Sequence, residues 1–399
     1  SGTNRFHGSV YEFARRNAWD ANSFQNNARG APRDGHYLDQ YGVQLDGPLV
    51  LPKLYQGRNR TFFLFNYEGY REGTPQPLIL SVPQPEMREG DFSGLVDPQD
   101  RRITIYDPAT GRSQAGSWVR DPFPGNVIPK DRINPIARRI VDYFPQPNTR
   151  TPGAEYSQHN YFVSGGMNPA TDHFYNLVFK FDQNLGVRHR VFFRHASNDR
   201  TEWRSTNGII DRPGADGPQP LKRVNDAYVI DWVGTLSPTT LVNARASFSR
   251  YIEGSWGEAN RGFDITALGF PRSLAEQLPY GAHFGRYQIT GYINLGRYFS
   301  NNVTNTLAGA PSVTRVTGSR TTKAGLDVRW IQYSTQSSGN VLTLAANKSF
   351  TQQIYNRGDA FSGNGLATWL LGSPTSGTVS YAVFRIYMYS YLAPWVQHD

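Results

Sequence analysis

Phe174-Tyr175-Asn176-Leu177-Val178-Phe179-Lys180-Phe181-Asp182 decides the fold. Its odd positions are Tyr175, Leu177, Phe179 and Phe181, while its even positions include Asn176, Lys180 and Asp182. A period of two places these sets on opposite faces of a β-strand, one greasy and one polar. The pattern recurs. In Lys323–Ile331, Ala324, Leu326, Val328 and Trp330 alternate with Lys323, Asp327 and Arg329. In Leu241–Arg250, Val242, Ala244, Ala246 and Phe248 alternate with Asn243, Arg245, Ser247 and Ser249. Tyr228, Ile230, Trp232 and Leu236 repeat it, as do Val191 and Phe193 against Arg190 and Arg194.

Alternation of this kind suits a soluble sandwich with its apolar face inward, or a membrane barrel with its apolar face outward. Connection lengths separate the two. Asn184-Leu185-Gly186, Ser237-Pro238-Thr239-Thr240 and Gly318-Ser319-Arg320 are tight turns. Residues 74–170, 205–222 and 254–309 are long connections, and short and long alternate in order. Short turns on one rim and long loops on the other are the signature of an antiparallel up-and-down transmembrane β-barrel. The expected class is therefore all-β. The rival is a soluble secreted β-protein with a carbohydrate-binding or glycosidase role.

Composition is consistent with this class. Among 399 residues there are 39 Gly, 26 Pro, 23 Tyr and 23 Phe, and only 18% are charged. Many aromatics with many chain breakers read as β-rich and argue against disorder. The net charge of +9 rests on arginine, since lysine occurs only at Lys53, Lys130, Lys180, Lys222, Lys323 and Lys348. The arginines are scattered, without a basic run or recognition helix, so no nucleic-acid partner is expected. No apolar run approaches the roughly 18 residues of a membrane helix, which leaves a barrel open. There is no cysteine. The start at Ser1-Gly2-Thr3 without Met reads as a piece of a longer precursor.

Chemistry-bearing motifs are sparse. The eight histidines (His7, His36, His159, His173, His189, His195, His283, His398) lack zinc-ligand spacing. Gly363-Asn364-Gly365 lacks the third glycine of a dinucleotide loop and reads as a turn. Gly90-Asp91-Phe92-Ser93-Gly94 has the wrong spacing for a nucleophile elbow. No catalytic residue, metal or cofactor is expected, and the chain is not expected to be an enzyme. Within the longest loop, Asn134 as N-cap, Pro135 at N1 and the stripe Ile136, Ile140, Val141, Phe144 before Pro145 predict a short helix near 135–144.

Longer strings carry a family resemblance. They run in order: Ser1-Gly2-Thr3-Asn4-Arg5-Phe6-His7-Gly8-Ser9-Val10-Tyr11-Glu12-Phe13; Asn17-Ala18-Trp19-Asp20-Ala21-Asn22-Ser23-Phe24; Gln40-Tyr41-Gly42 with Gly47-Pro48; Arg60-Thr61-Phe62-Phe63-Leu64-Phe65-Asn66-Tyr67-Glu68-Gly69. Then come Glu89-Gly90-Asp91-Phe92-Ser93, Ile105-Tyr106-Asp107-Pro108-Ala109-Thr110-Gly111, Pro122-Phe123-Pro124-Gly125-Asn126-Val127-Ile128-Pro129, Ala367-Thr368-Trp369-Leu370-Leu371-Gly372 and Trp395-Val396-Gln397-His398-Asp399. Together they resemble the barrel domain of TonB-dependent outer-membrane receptors. The nearest branch is the Oar-like group, which carries an N-terminal carboxypeptidase-regulatory-like domain. Asp46 departs from the family's small residue before Gly-Pro.

The resemblance implies the first eleven or twelve strands of a barrel of about 22, residues 1–399 being its N-terminal half, without the plug. It implies the outer membrane of a Gram-negative bacterium, with outer-membrane lipid and lipopolysaccharide, the protein's own plug domain and the TonB complex as partners. The implied activity is energy-coupled uptake of a scarce nutrient, with siderophore, vitamin B12, oligosaccharide and peptide or protein export all open. In a barrel, the polar strand faces line the lumen, which makes Lys180, Arg190, Arg194, Arg245, Asp327 and Arg329 the lumen-facing candidates. Trp118, Trp203 and Trp256 lie in or beside long loops and are the candidate stacking residues. Trp232, Trp330 and Trp395 are expected to face lipid or its interface.

Overall fold

A computed structural model of the chain describes residues 3–22, 24, 27, 30, 32–165, 169–217, 220–255, 257–278, 282–297, 300–337, 342–355, 357–379 and 384–399. The alternating segments form one antiparallel sheet. Its strands are β1 (His7–Arg16), β2 (Tyr37–Pro48), β3 (Thr61–Pro75), β4 (Pro169–Leu185), β5 (His189–Trp203), β6 (Leu221–Ser237), β7 (Thr240–Ser255), β8 (Ser300–Gly309), β9 (Ser312–Thr317), β10 (Arg320–Ser337) and β11 (Phe384–His398). Each pairs with its predecessor in the chain, except that β8 and β9 both lie between β7 and β10, and β11 pairs with β10. Ala246 pairs with Gly309 and Asn243 with Ser312, so β8 and β9 continue in one register. The gap between them holds Pro311, which has no N–H to give the ladder. The eleven strands thus make ten crossings, and β1 and β11 are the two edges.

Up-and-down order puts every long connection on one rim. Residues 17–36, 76–168, 204–220, 256–299 and 338–383 lie there, opposite the connection at 49–60 and the turns at 186–188, 238–239 and 318–319. Gly186 (φ 70°) and Gly318 (φ 60°) open two of these turns, in a conformation side chains with a Cβ resist. Two loop expectations change. The second long loop ends at 299, because residues 300–309 are strand β8, stabilised on both sides by β7 and β10. A further long connection, 338–383, lies beyond the expected set.

The long loops are not loose. They fold together into a cap with its own core, including Phe92, Leu95, Ile105, Ile128, Ile140, Phe284, Tyr287, Ile289, Leu295 and Leu366, all at most 1% exposed. The strands of the sheet contribute Phe62 and Ala170 to the buried apolar residues. Helix α1 (Pro135–Val141) forms as expected: the Asn134 side chain accepts from the Ile136 and Ala137 N–H groups. It ends at Val141 rather than at 144, and Phe144 enters the core from the turn that follows. The expected turn at Gly363-Asn364-Gly365 is the start of helix α2 (Gly365–Leu370), with the Asn364 side chain accepting from Leu366 N–H at 2.8 Å. Trp369 on α2 donates its indole N–H to the Ala137 carbonyl at 3.2 Å, joining the two helices across 232 residues of chain.

With so little regular structure, the cap's backbone is satisfied by buried side chains. Asn126 accepts from Ile105 N–H and donates to the Phe92 and Ile103 carbonyls. Asn160 pairs with both backbone groups of Val82. Asn207 links Gly214 to Asn294, and Asn260 links Gly214 to Ala215. Arg88 donates to the carbonyls of Pro83, Phe144 and Pro145. These five side chains belong to residues at most 4% exposed, so each unmade bond would strand a group away from water.

Candidate functional site: the lumen wall and the extracellular cap

Register assigns every side chain of the sheet to one of two faces. One face carries Phe63, Phe181, Phe193, Ile230, Ala246, Val328 and Leu392 on a single row of paired residues. The next row of that face toward the long loops is Leu45, Phe65, Phe179, His195, Tyr228, Phe248, Leu307 and Trp330. Among the described residues no second sheet covers this face: Ile230 is 52% exposed, Trp330 51% and Leu392 67%. That rules out a sandwich, whose apolar face would be buried. Apolar rows continue toward the short turns, through Val191, Trp232, Ala244 and Leu326 and then Leu185, Val242, Val313 and Val396. Toward the long loops the same face turns polar, with Asp199 paired to Lys222 at 3.2 Å and Arg71 opposite His173. A polar margin above an apolar band marks the membrane boundary.

The opposite face lines the lumen, and it brings the charged candidates together in strand-neighbour pairs. Lys180 (2.8 Å) and Arg190 (2.5 Å) both hold the Asp182 carboxylate. Arg245 holds Asp231 at 2.7 Å, and Arg329 holds Asp327 at 2.6 Å. Arg194 faces the same way, opposite Lys180 and Val229, and has no ion pair among the described residues. A larger network near the cap went unread in the sequence. Arg200 binds Asp172 at 2.5 Å and Glu202 at 3.2 Å, Arg204 binds Glu202 at 2.7 Å, and Arg223 bridges Glu202 to Glu253. Tyr70 donates to Asp172 at 3.1 Å. The buried carboxylates Asp172, Asp182, Glu202 and Asp231 are thus neutralised in place, which their burial requires. Arg194, Lys323 and Arg385 are cations of this wall without an ion pair among the described residues, and Asp46, Glu68 and Glu72 are carboxylates of the same wall without one.

Trp395 corrects an expectation. Its indole covers Gly325, and the Lys323 ammonium lies 5.4 Å from the ring centroid, so it faces the lumen rather than lipid. Tyr387, Tyr389 and Tyr391 lie on the same face of β11, with Tyr387 stacked on Tyr333 and Arg329 5.3 Å over Tyr391. Trp232 and Trp330 face outward as expected. Trp203 ends β5 at the cap rim, on the outward face. Trp118 stands on a short hairpin of the cap, 51% exposed. Trp256 lies outside the described residues.

In the cap, His283 and Tyr156 are among the groups that titrate far from their ordinary ranges. Burial, with the Arg261 cation adding to it, holds the His283 imidazole down to about 4. The Tyr156 phenol, hydrogen-bonded to Glu86 and then buried, is pushed up to about 12. Neither has a catalytic partner in the geometry. Among the described residues, no group of three or more His, Cys, Asp or Glu is placed to hold a metal ion.

No curated protein matches the chain. Among solved structures, the outer membrane transporter YddB from Escherichia coli is similar over 100% of this chain, at 8% identity and a TM-score of 0.44. This chain spans 37% of that one. The family model described as an outer membrane beta barrel domain matches residues 1–399. A lipid-facing apolar band, a charged lumen wall and this full-length match agree: the chain belongs to the outer membrane beta-barrel domain family.

Proposed function

We propose that these residues are the wall and cap of a TonB-dependent transporter of the Oar-like group, importing a scarce nutrient across the outer membrane. The observation that carries this is the unclosed sheet. Ten crossings end in two unpaired edges, β1 and β11. Open edges are not tolerated in the hydrocarbon region, so closure takes further strands. A barrel of more than ten strands outgrows the size that its own side chains fill, and leaves a lumen able to hold a plug and pass a solute. The paired charges on the wall suit a water-filled lumen contacted by a plug domain. The partners in this reading are that plug, the TonB complex, outer-membrane lipid and lipopolysaccharide. A carboxypeptidase-regulatory-like domain belongs to the whole protein, and the role is transport rather than catalysis.

The test is genetic. Strains lacking the full-length protein, TonB, or both are grown with one limiting nutrient at a time. The reading predicts a nutrient for which each single loss gives the same growth defect and the double loss adds nothing. A defect that persists independently of TonB contradicts it.

A further inference from the structure

The cap carries an exposed aromatic step that the transport reading does not use. Residues 112–114 and 117–119 form a hairpin, and Val119 bridges antiparallel to Ile354. Tyr355 N–H donates to the Trp118 carbonyl at 3.2 Å and Arg120 N–H to the Gln353 carbonyl at 2.9 Å. Trp118 therefore stands directly opposite Tyr355, with both side chains on one face of this small sheet. Both rings are open to solvent, at 51% and 50%.

The step is held in place from below. The Trp118 indole lies across Gly111, where a Cβ would come within 2.3 Å of Nε1, so only glycine admits this pose. Arg120, only 4% exposed and bonded to the Ser349 and Gln352 carbonyls, sets its guanidinium 5.5 Å from the Tyr355 ring. The chain on either side of Tyr355 lines a hollow of about 310 Å³, through Gln353, Ile354, Arg357, Gly358 and Asp359. The side chains of Gln353 and Arg357 make no bond within the protein among the described residues. One Asp359 oxygen accepts from Phe361 N–H, leaving the other open to the hollow.

We infer that this step is a saccharide-binding site, taking a neutral hexose or N-acetylhexosamine unit of an oligosaccharide. The C–H face of a pyranose ring is apolar and packs against an aromatic face, while its equatorial hydroxyls point sideways. An amide, a guanidinium and a carboxylate around a small hollow supply the donors and acceptors that vicinal hydroxyls need. A protein partner would require a contact far larger than this patch. The site lies on the long-loop side, which faces away from the cell, and binding there needs neither the lumen nor energy coupling.

The test uses the purified full-length protein in detergent. Cellohexaose, laminarihexaose, maltohexaose and chitohexaose are titrated by calorimetry. At least one binds the wild type. Trp118→Ala and Tyr355→Ala each weaken that binding at least 10-fold, Gln353→Ala weakens it several-fold, and Trp118→Phe retains most of it. Gly111→Ala matches Trp118→Ala, because the new methyl displaces the indole. Trp330→Ala, on the lipid face of the sheet, has no effect. Unchanged heat-modifiable migration on gels shows that each variant is folded. Failure of all four sugars to bind the wild type, or binding undiminished in both alanine variants at the step, overturns the inference. A loss that follows TonB and leaves purified protein binding intact bears on the transport reading alone.

Discussion

Trp330 and Trp369 belong to the same chain and obey opposite rules. Trp330 sits mid-sheet, 51% exposed, among other uncovered apolar side chains. Trp369 sits in the cap, 3% exposed, packed against Tyr287 and hydrogen-bonded to Ala137. The sheet is apolar outside and polar inside; the cap is apolar inside and polar outside. One sequence carries both arrangements because it folds against two solvents, lipid beside the sheet and water around the cap. Polar groups invert as well. In the sheet they line a lumen in charged pairs, whereas in the cap the buried ones include four asparagines, Asn126, Asn160, Asn207 and Asn260, bonded to backbone.

The comparison breaks first where burial differs most. Trp369→Ala opens a cavity under both cap helices and abandons the Ala137 carbonyl, so a loss of about 3–5 kcal/mol is expected. Trp330→Ala opens no cavity, since lipid chains refill the space, and costs clearly less. Limited proteolysis of the full-length protein in native membranes reads the difference: Trp369→Ala exposes cleavage sites in the cap while the sheet stays protected. Equal cleavage in both variants would erase the distinction.

Charge is the second probe. Val328 lies on the lipid face, in the middle of the apolar rows, so Val328→Lys should cost on the order of 2–4 kcal/mol. Arg329 lies one residue away on the lumen face, paired with Asp327. Arg329→Lys exchanges one solvated cation for another, and less than about 1 kcal/mol is expected. Urea unfolding of the full-length protein in lipid vesicles measures both, and the order should not reverse.

Acid is the third probe, read in the cap. His283 stays neutral in the fold down to about pH 4, because burial and Arg261 oppose its charge. The unfolded chain takes up that proton near pH 6.5. Stability contributed by the neutral form is therefore complete above pH 6.5 and drains as pH falls to about 4, by up to about 3 kcal/mol at 1.36 kcal/mol per pH unit. Protection factors in the cap, corrected for the intrinsic pH dependence of exchange, should fall over that window, and His283→Gln should flatten the response. Protection factors unchanged between pH 6.5 and 4 would show that His283 is already solvated.

Legibility in the sequence follows the same division. In strands such as Phe174–Asp182, one face is charged and the other aromatic, so residue parity alone reveals register and facing. β11 defeats this reading. Its lumen face carries Tyr387, Tyr389, Tyr391 and Trp395, and its outward face Met388, Leu392 and Val396. With aromatics on one side and aliphatics on the other, no polar face marks the lumen, and the sequence alone reads Trp395 as lipid-facing or interfacial. The cap was legible only at α1, where Asn134 and Pro135 signal a start. Its core joins Ile105, Ile140, Phe284 and Leu366, which are far apart in sequence and share no period. Asn126, Asn160, Asn207 and Asn260 look like ordinary loop residues until the backbone groups they satisfy are seen in space. The lumen charges were legible as a face, but the Asp172–Arg200–Glu202–Arg223 network needs three strands in register.

The opposition between the two faces of one strand can be measured directly. The chain has no cysteine, so Val328→Cys and Arg329→Cys each give a single labelling site in this region. The full-length protein, labelled with an environment-sensitive fluorophore, is reconstituted into vesicles with and without brominated acyl chains. The account predicts strong quenching by brominated lipid at position 328 and little at 329. Quenching at 329 and not at 328 would turn the strand inside out, and quenching at neither would contradict a lipid-facing sheet.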